Sequence, residues 1–145
     1  MACPIDLDKS YLKMAKIWSD LSKAKRKKVG CLIVKNGAII SDGYNGTPSG
    51  FDNSCEIRLD EHDEKALLTK PEVLHAESNA ITKLAKSTQS SKGATMYITI
   101  SPCLECAKLI IQAEIARVVY GAIYRNMEGI NLLKKANIIT DECKI

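Results

Sequence analysis

Aromatic residues are scarce in this 145-residue chain, which has one tryptophan, one phenylalanine and five tyrosines. So few rings leave little for a channel that binds single-stranded nucleic acid by stacking its bases. No apolar run approaches the roughly 18 residues that a membrane-spanning helix needs. The opening segment, Met1 to Asp6, lacks the basic start and apolar stretch of a secretory signal. A cytoplasmic protein without a membrane partner is therefore expected. Six cysteines, about 4% of the chain, fall below the density of a small disulfide scaffold. An even count allows three bridges, but a cytoplasmic setting favours thiols. Cys3, Cys31, Cys55 and Cys143 are scattered and read as structural or incidental thiols.

What is present is ordinary for a globular domain: 46% hydrophobic and 26% charged residues. The length suits one domain that buries roughly 68–70% of its unfolded surface. With no repeat, linker or low-complexity tract, residues 1–145 read as a single domain. The net charge is only +4, yet Lys23, Lys25, Arg26, Lys27 and Lys28 crowd into one short stretch. Such a run is either a solvated face or an anion site.

Tyr11, Met14, Ala15, Trp18 and Leu21 recur at helical spacing, with Asp8 available as a cap. An apolar strand over 29–34 meets Asn36-Gly37, a strong hairpin signal, and a second strand follows over 38–44. The glycine-rich stretch 43–53 is a shaped loop, and the polar stretch 54–71 has room for one short helix. Further on, the patterns predict helices over 73–86, 104–113 and 127–135 and strands over 95–100, 117–121 and 138–140. Asn126 can cap the last helix and Asn137 can end it. A hairpin followed by strand–helix alternation predicts an α/β fold, a mixed sheet with helices on both faces.

Two segments carry the chemistry: His75-Ala76-Glu77 and Pro102-Cys103-Leu104-Glu105-Cys106. In a shuffle of this composition H-x-E is expected about 0.12 times, so alone it means little. P-C-x-x-C is expected about 0.007 times, which makes it the informative one. Cys103 and Cys106 lie one helical turn apart at a helix start, where free N–H groups favour thiolate. His75 can supply a nitrogen, and three protein ligands leave a tetrahedral zinc one open position. Zinc can bring the pKa of bound water to about 7, and Glu77 is placed beside it as a general acid/base. Taken alone, His75 reads more readily as a hydrogen-bonded structural histidine. A structural zinc site would need a fourth ligand, for which only His62 and distant cysteines are on offer.

H-x-E followed by P-C-x-x-C resembles the signature of zinc nucleobase deaminases. Over nearly its whole length the chain resembles the cytidine/deoxycytidylate deaminase superfamily. That resemblance implies a three-layer α/β/α fold with a five-stranded mixed sheet. It implies that His75, Cys103 and Cys106 bind Zn2+, and that Glu77 moves a proton from the attacking water to the ring N3 and helps ammonia leave. It also makes the Ser101 carbonyl, freed from strand pairing by Pro102, the acceptor for the leaving amino group.

Val29-Gly30-Cys31 and Ser41-Asp42-Gly43-Tyr44-Asn45-Gly46-Thr47-Pro48-Ser49-Gly50 resemble the V-G-A-x-I-V and G-Y-N-G-x-P-x-G pattern of the deoxycytidylate (dCMP) branch. Asn45 would then hold the sugar 3′-hydroxyl, and Tyr124 would contact the 5′-phosphate. Arg26 and Lys28 are candidate partners for that phosphate. Members of this branch are commonly hexamers that make dUMP for dTTP synthesis, activated by dCTP and inhibited by dTTP. Such regulation would involve Lys27, Gly43, Tyr44, Gly46 and Gly50, with Mg2+ accompanying a triphosphate. A second, structural zinc is not expected, because the insert before His75 offers only Cys55 and His62. Glu72-Val73-Leu74 stands where tRNA adenosine deaminases commonly carry D-P-T. A deaminase of single-stranded DNA or tRNA, supported by the basic run, and a non-catalytic zinc module stay open as alternatives.

Overall fold

The computed structural model describes residues 5–145, so Cys3 lies outside the described residues. The chain begins with α1 (Ile5–Ser19), followed by a hairpin of β1 (Gly30–Lys35) and β2 (Ala38–Tyr44). Asn36 and Gly37 both have positive φ, 52° and 76°, as the two-residue turn between twisted strands requires. Next come β3 (Glu56–Arg58), β4 (Leu67–Thr69) and α2 (Ala76–Leu84). The remainder alternates: β5 (Thr95–Ile98), α3 (Leu104–Gln112), β6 (Arg117–Tyr120), α4 (Glu128–Lys135) and β7 (Ile139–Glu142). Asn137 has φ 62°, the left-handed conformation that ends α4, and the Asn126 side chain accepts from the Glu128 N–H at 3.0 Å.

Five strands form one mixed sheet in the order β2-β1-β5-β6-β7. β1 is antiparallel to both β2 and β5, whereas β5, β6 and β7 run parallel. Alternation along β1 divides the core between the two faces. Cys31 and Ile33 join the cluster under α2, α3 and α4, and Leu32 and Val34 join the one under α1. The result is the layered α/β/α arrangement expected from the element order.

Two expectations are corrected. The stretch 54–71 holds no helix; β3 and β4 pair antiparallel as a separate ribbon, with Ile57 opposite Leu68. Three-residue strands are too short to show the alternation that identifies a strand. The stripe of Met14, Trp18 and Leu21 is also not the face that α1 buries, since all three are exposed. The buried face is Asp8, Leu12, Ala15 and Ser19. Asp8 does not cap the helix but sits inside its first turn at 1% exposure. Arg117 of β6 makes that burial tolerable, its Nη1 and Nη2 donating to the two Asp8 oxygens at 3.1 and 2.7 Å. The Tyr97 hydroxyl donates to Asp8 at 2.5 Å, and Arg117 Nε donates to Asp141 at 2.9 Å. This network fastens α1 to β5, β6 and β7.

Candidate active site

α2 and α3 begin in the same way. Each is preceded by an extended residue at its N-cap: His75 (φ −74°, ψ 160°) and Cys103 (φ −73°, ψ 172°). An extended N-cap turns its side chain across the end of the helix, where the first N–H groups are unpaired. At α3 the Cys103 sulfur accepts from the Cys106 N–H at 3.5 Å. His75 is held by its surroundings. Leu74 and Gly46 exchange backbone hydrogen bonds of 2.8 and 3.0 Å, tying the loop after β2 to the approach of α2.

His75 Nδ1 stands 3.3 Å from Cys106 Sγ and 3.5 Å from Cys103 Sγ. All three donor atoms lie within 4.8 Å of one another, and no other such group occurs among the described residues. A tetrahedral zinc with ordinary Zn–S and Zn–N distances needs an N···S edge of about 3.6 Å. The donors therefore fit that ion in both chemistry and spacing. In the protein alone, hydrogen bonds from the Cys106 thiol and from His75 hold the Cys103 thiol down to about 3. Donation to Cys103, then burial, pushes the Cys106 thiol up. One proton is thus shared between two sulfurs, and a cation that takes both as thiolates must displace it.

Glu77, in the first turn of α2, is 3% exposed. Desolvation by burial pushes its carboxyl up to about 7, against the opposing effects of a backbone hydrogen bond and the His75 charge. A carboxyl so placed can accept and return a proton near neutrality.

His75, Cys103 and Glu77 line one cavity of about 340 Å³, which Arg26, Lys27, Asn45, Ser101 and Tyr124 also line, while Cys106 is buried. Asn45 spends half of its amide on the fold: Oδ1 accepts from Val29 N–H at 2.9 Å, and Nδ2 donates to the Lys27 carbonyl at 2.8 Å. One N–H and one lone pair remain for a ligand. The Ser101 hydroxyl accepts from the Tyr124 N–H at 2.9 Å, which fixes the start of the segment that brings Tyr124 to the cavity.

Lys28 is not brought to this cavity. It lines another of about 600 Å³ with Lys16 and Lys144, which Lys27 borders as well. Gly43, Tyr44 and Gly46 line a further cavity of about 420 Å³. Gly50 joins Tyr44 and Gly46 around a smaller one of about 250 Å³. Lys27 lines neither of these two.

Thr69, Arg125, Asn126 and Glu128 also line the catalytic cavity, and reading the sequence missed them. Thr69 arrives on β4, where its hydroxyl accepts from Arg26 Nη1 at 3.1 Å. Arg125 has φ 66°, a left-handed conformation rare for a residue with a side chain. Its guanidinium carbon lies 5.0 Å from the centre of the Tyr124 ring, and Lys27 Nζ lies 5.5 Å from it. The proximity of Arg125 to Tyr124 in the chain was the one available signal.

Known proteins resemble this chain in sequence and in fold. The profile of the cytidine and deoxycytidylate deaminase zinc-binding region matches residues 5–122. A deoxycytidylate deaminase of Enterobacteria phage T4 is 36% identical, over 89% of this chain and 86% of its own. The Homo sapiens deoxycytidylate deaminase is 38% identical over 76% of this chain and 61% of its own. The crystal structure of the dCMP deaminase of cyanophage S-TIM5, in complex with dCMP and dUMP, superposes with a TM-score of 0.88. That protein is 41% identical, over 98% of this chain and 99% of its own.

Proposed function

Because the chain belongs to the cytidine and deoxycytidylate deaminase family, we propose that it is a deaminase converting dCMP and water to dUMP and ammonia. The observation that carries this reading is the grouping of His75, Cys103 and Cys106 beside a buried Glu77, at a cavity whose other lining residues include Arg26, Lys27 and Arg125. The cyanophage relative that binds dCMP and dUMP supports the choice of substrate.

His75 Nδ1 and the sulfurs of Cys103 and Cys106 would hold the zinc. Bound there, zinc supplies Lewis acidity that draws the pKa of water towards about 7. The Glu77 carboxylate takes a proton from the water that adds at C4 of cytosine and delivers it to N3. It then carries the proton of the new C4 hydroxyl to the exocyclic amino group, so that C4=O forms as the C4–N bond breaks and ammonia departs. The Ser101 carbonyl accepts a hydrogen bond from that amino group. The free half of the Asn45 amide addresses the 3′-hydroxyl. Arg26, Lys27, Arg125 and the Tyr124 hydroxyl surround the 5′-phosphate, with Lys28 standing outside.

The finer reading is an enzyme that supplies dUMP for dTTP synthesis in the cytoplasm, as a hexamer activated by dCTP and inhibited by dTTP, with Mg2+ on the triphosphate. Its support is mechanical: the loop bearing Gly46 is bonded to Leu74, next to His75, so a ligand on that loop would bear on a metal donor. Equal kcat/KM for dCMP with either effector added would reject regulation. No helix among the described residues is long and apolar enough to cross a membrane.

One observation favours a polymeric substrate instead. Arg26 is shared with a cavity of about 850 Å³ that Lys23, Lys25, Arg58 and Lys65 also line. Ammonia release from dCMP, deoxycytidine and a cytosine-containing DNA oligonucleotide at equal concentration decides. Strong preference for dCMP is expected. Preference for the oligonucleotide would overturn the proposal.

A further inference from the structure

The two helices that deliver metal donors do so from their first turns, and each of those turns is packed against a glycine of another element. Gly43, on β2, lies under α2. A Cβ at Gly43 would overlap the Ala76 carbonyl oxygen and stand 2.8 Å from the Ala80 nitrogen. Gly129, buried in the first turn of α4, lies against the turn that opens α3. A Cβ at Gly129 would overlap the Pro102 carbonyl oxygen and stand 2.9 Å from the Cys103 oxygen. In both cases the obstacle is backbone, which has no rotamer with which to yield. A methyl group at either position must therefore push a ligand-bearing turn away by several tenths of an ångström.

That displacement is larger than the site tolerates. Metal–ligand distances hold to within about 0.2 Å, and the N···S separations of 3.3 and 3.5 Å already lie close to the tetrahedral edge. We propose that Gly43 and Gly129 are positioning residues for the metal: their missing side chains set how far His75 stands from Cys103 and Cys106. Gly43 acts through the seat of α2, and Gly129 through the Pro102–Cys103 turn. This inference rests on the zinc reading of the site.

Gly30 provides the control. A Cβ there would overlap the Ala15 carbonyl oxygen and stand 2.7 Å from the Ser19 nitrogen, an equally tight seat. It lies under α1, which carries no metal donor. Gly43→Ala, Gly129→Ala and Gly30→Ala are purified with zinc, and zinc affinity is measured by competition with a chelator well below each melting temperature. Gly43→Ala and Gly129→Ala are expected to bind zinc about 10- to 100-fold more weakly, the usual loss when groups supporting metal ligands are disturbed. Gly30→Ala is expected to melt earlier yet keep the affinity of the unmodified protein. Full affinity in the first two variants overturns the proposal, as does an equal loss in Gly30→Ala, which would make the effect one of general stability. Failure of the unmodified protein to bind zinc rejects the zinc reading instead.

Hydrogen exchange on the unmodified protein tests the same idea without any variant. Coupling between seat and metal is reciprocal, so zinc must also tighten the seat. The Asn131 amide of α4, bonded to the Met127 carbonyl at 2.8 Å, is expected to exchange more slowly with zinc than after chelation. Amides of α1 are expected to be unchanged. An α4 amide indifferent to zinc overturns the role of Gly129.

Discussion

Replacing Arg125 tests how the cavity reads a phosphate. Arg125 and Lys27 both lie within 5.5 Å of the centre of the Tyr124 ring, and Arg26 lines the same cavity. None of these three cations takes part in an ion pair among the described residues. Although Glu105 and Glu128 line the same cavity, neither is paired with these cations, whose like charges an entering anion would offset. A hydrogen bond to a charged group contributes about 1.5–3 kcal/mol, and the exposure of Arg125 places it at about 1.5–2 kcal/mol. At about 1.4 kcal/mol per decade, Arg125→Gln should lower kcat/KM for dCMP roughly 10- to 30-fold. Deoxycytidine, which lacks the phosphate, should be turned over within about twofold of the unmodified rate, so the dCMP/deoxycytidine ratio is the quantity to assay. Added salt should lower that ratio more in the unmodified protein than in the variant. Arg125→Gly separates function from stability. The left-handed backbone at φ 66° costs a residue with a Cβ about 1 kcal/mol, so this variant should melt no earlier while losing the same selectivity. Equal losses on both substrates, or none on dCMP, would refute the phosphate reading.

Three further outcomes are expected. Glu77→Gln, nearly isosteric at a buried position, should keep one zinc per chain by metal analysis and lose about 10²–10⁴-fold in kcat, the usual share of a general acid/base. Cys103→Ala should lose both zinc and turnover, and a metal-replete, active variant would remove Cys103 from the site. Asp8→Ala strands the Arg117 guanidinium with Asp141 as its remaining partner. Loss of one member of a buried pair costs about 3–5 kcal/mol, and the partial exposure of Arg117 favours about 3 kcal/mol. In calorimetry that is a fall in Tm on the order of 10 °C.

Much of the fold was legible because the signals are local. Asn36-Gly37 specifies its turn through positive φ at both residues, and Asn137 ends α4 by the same chemistry. Hydrophobic periodicity placed α2, α3, α4 and the five strands of the main sheet with errors of a few residues at their ends. The metal group was legible for a related reason. Cys103 and Cys106 are brought together by a single helical turn, so their spacing in the chain is their spacing in space. Partnership with His75 is not local, yet the order of the motifs identified it.

Tertiary structure alone decided the rest. The burial of Asp8 depends on Arg117, 109 residues away, and no local pattern marks a carboxylate whose charge is met from across the fold. Packing of the β3–β4 ribbon beside the basic run brings Thr69 to Arg26, and backbone N–H groups of Lys25 and Arg26 donate to Glu56 at 2.9 and 3.0 Å. Arg125, at a left-handed turn, lines the cavity of the candidate metal donors, while Lys28 lines a neighbouring one. Backbone propensity and donor type are properties of a few consecutive residues, so the sequence by itself determined the elements of the main sheet and the donor types offered to a metal. Which cations face the cavity, and how closely α2 and α4 approach their neighbours, depend on contacts that exist only after the layers have packed.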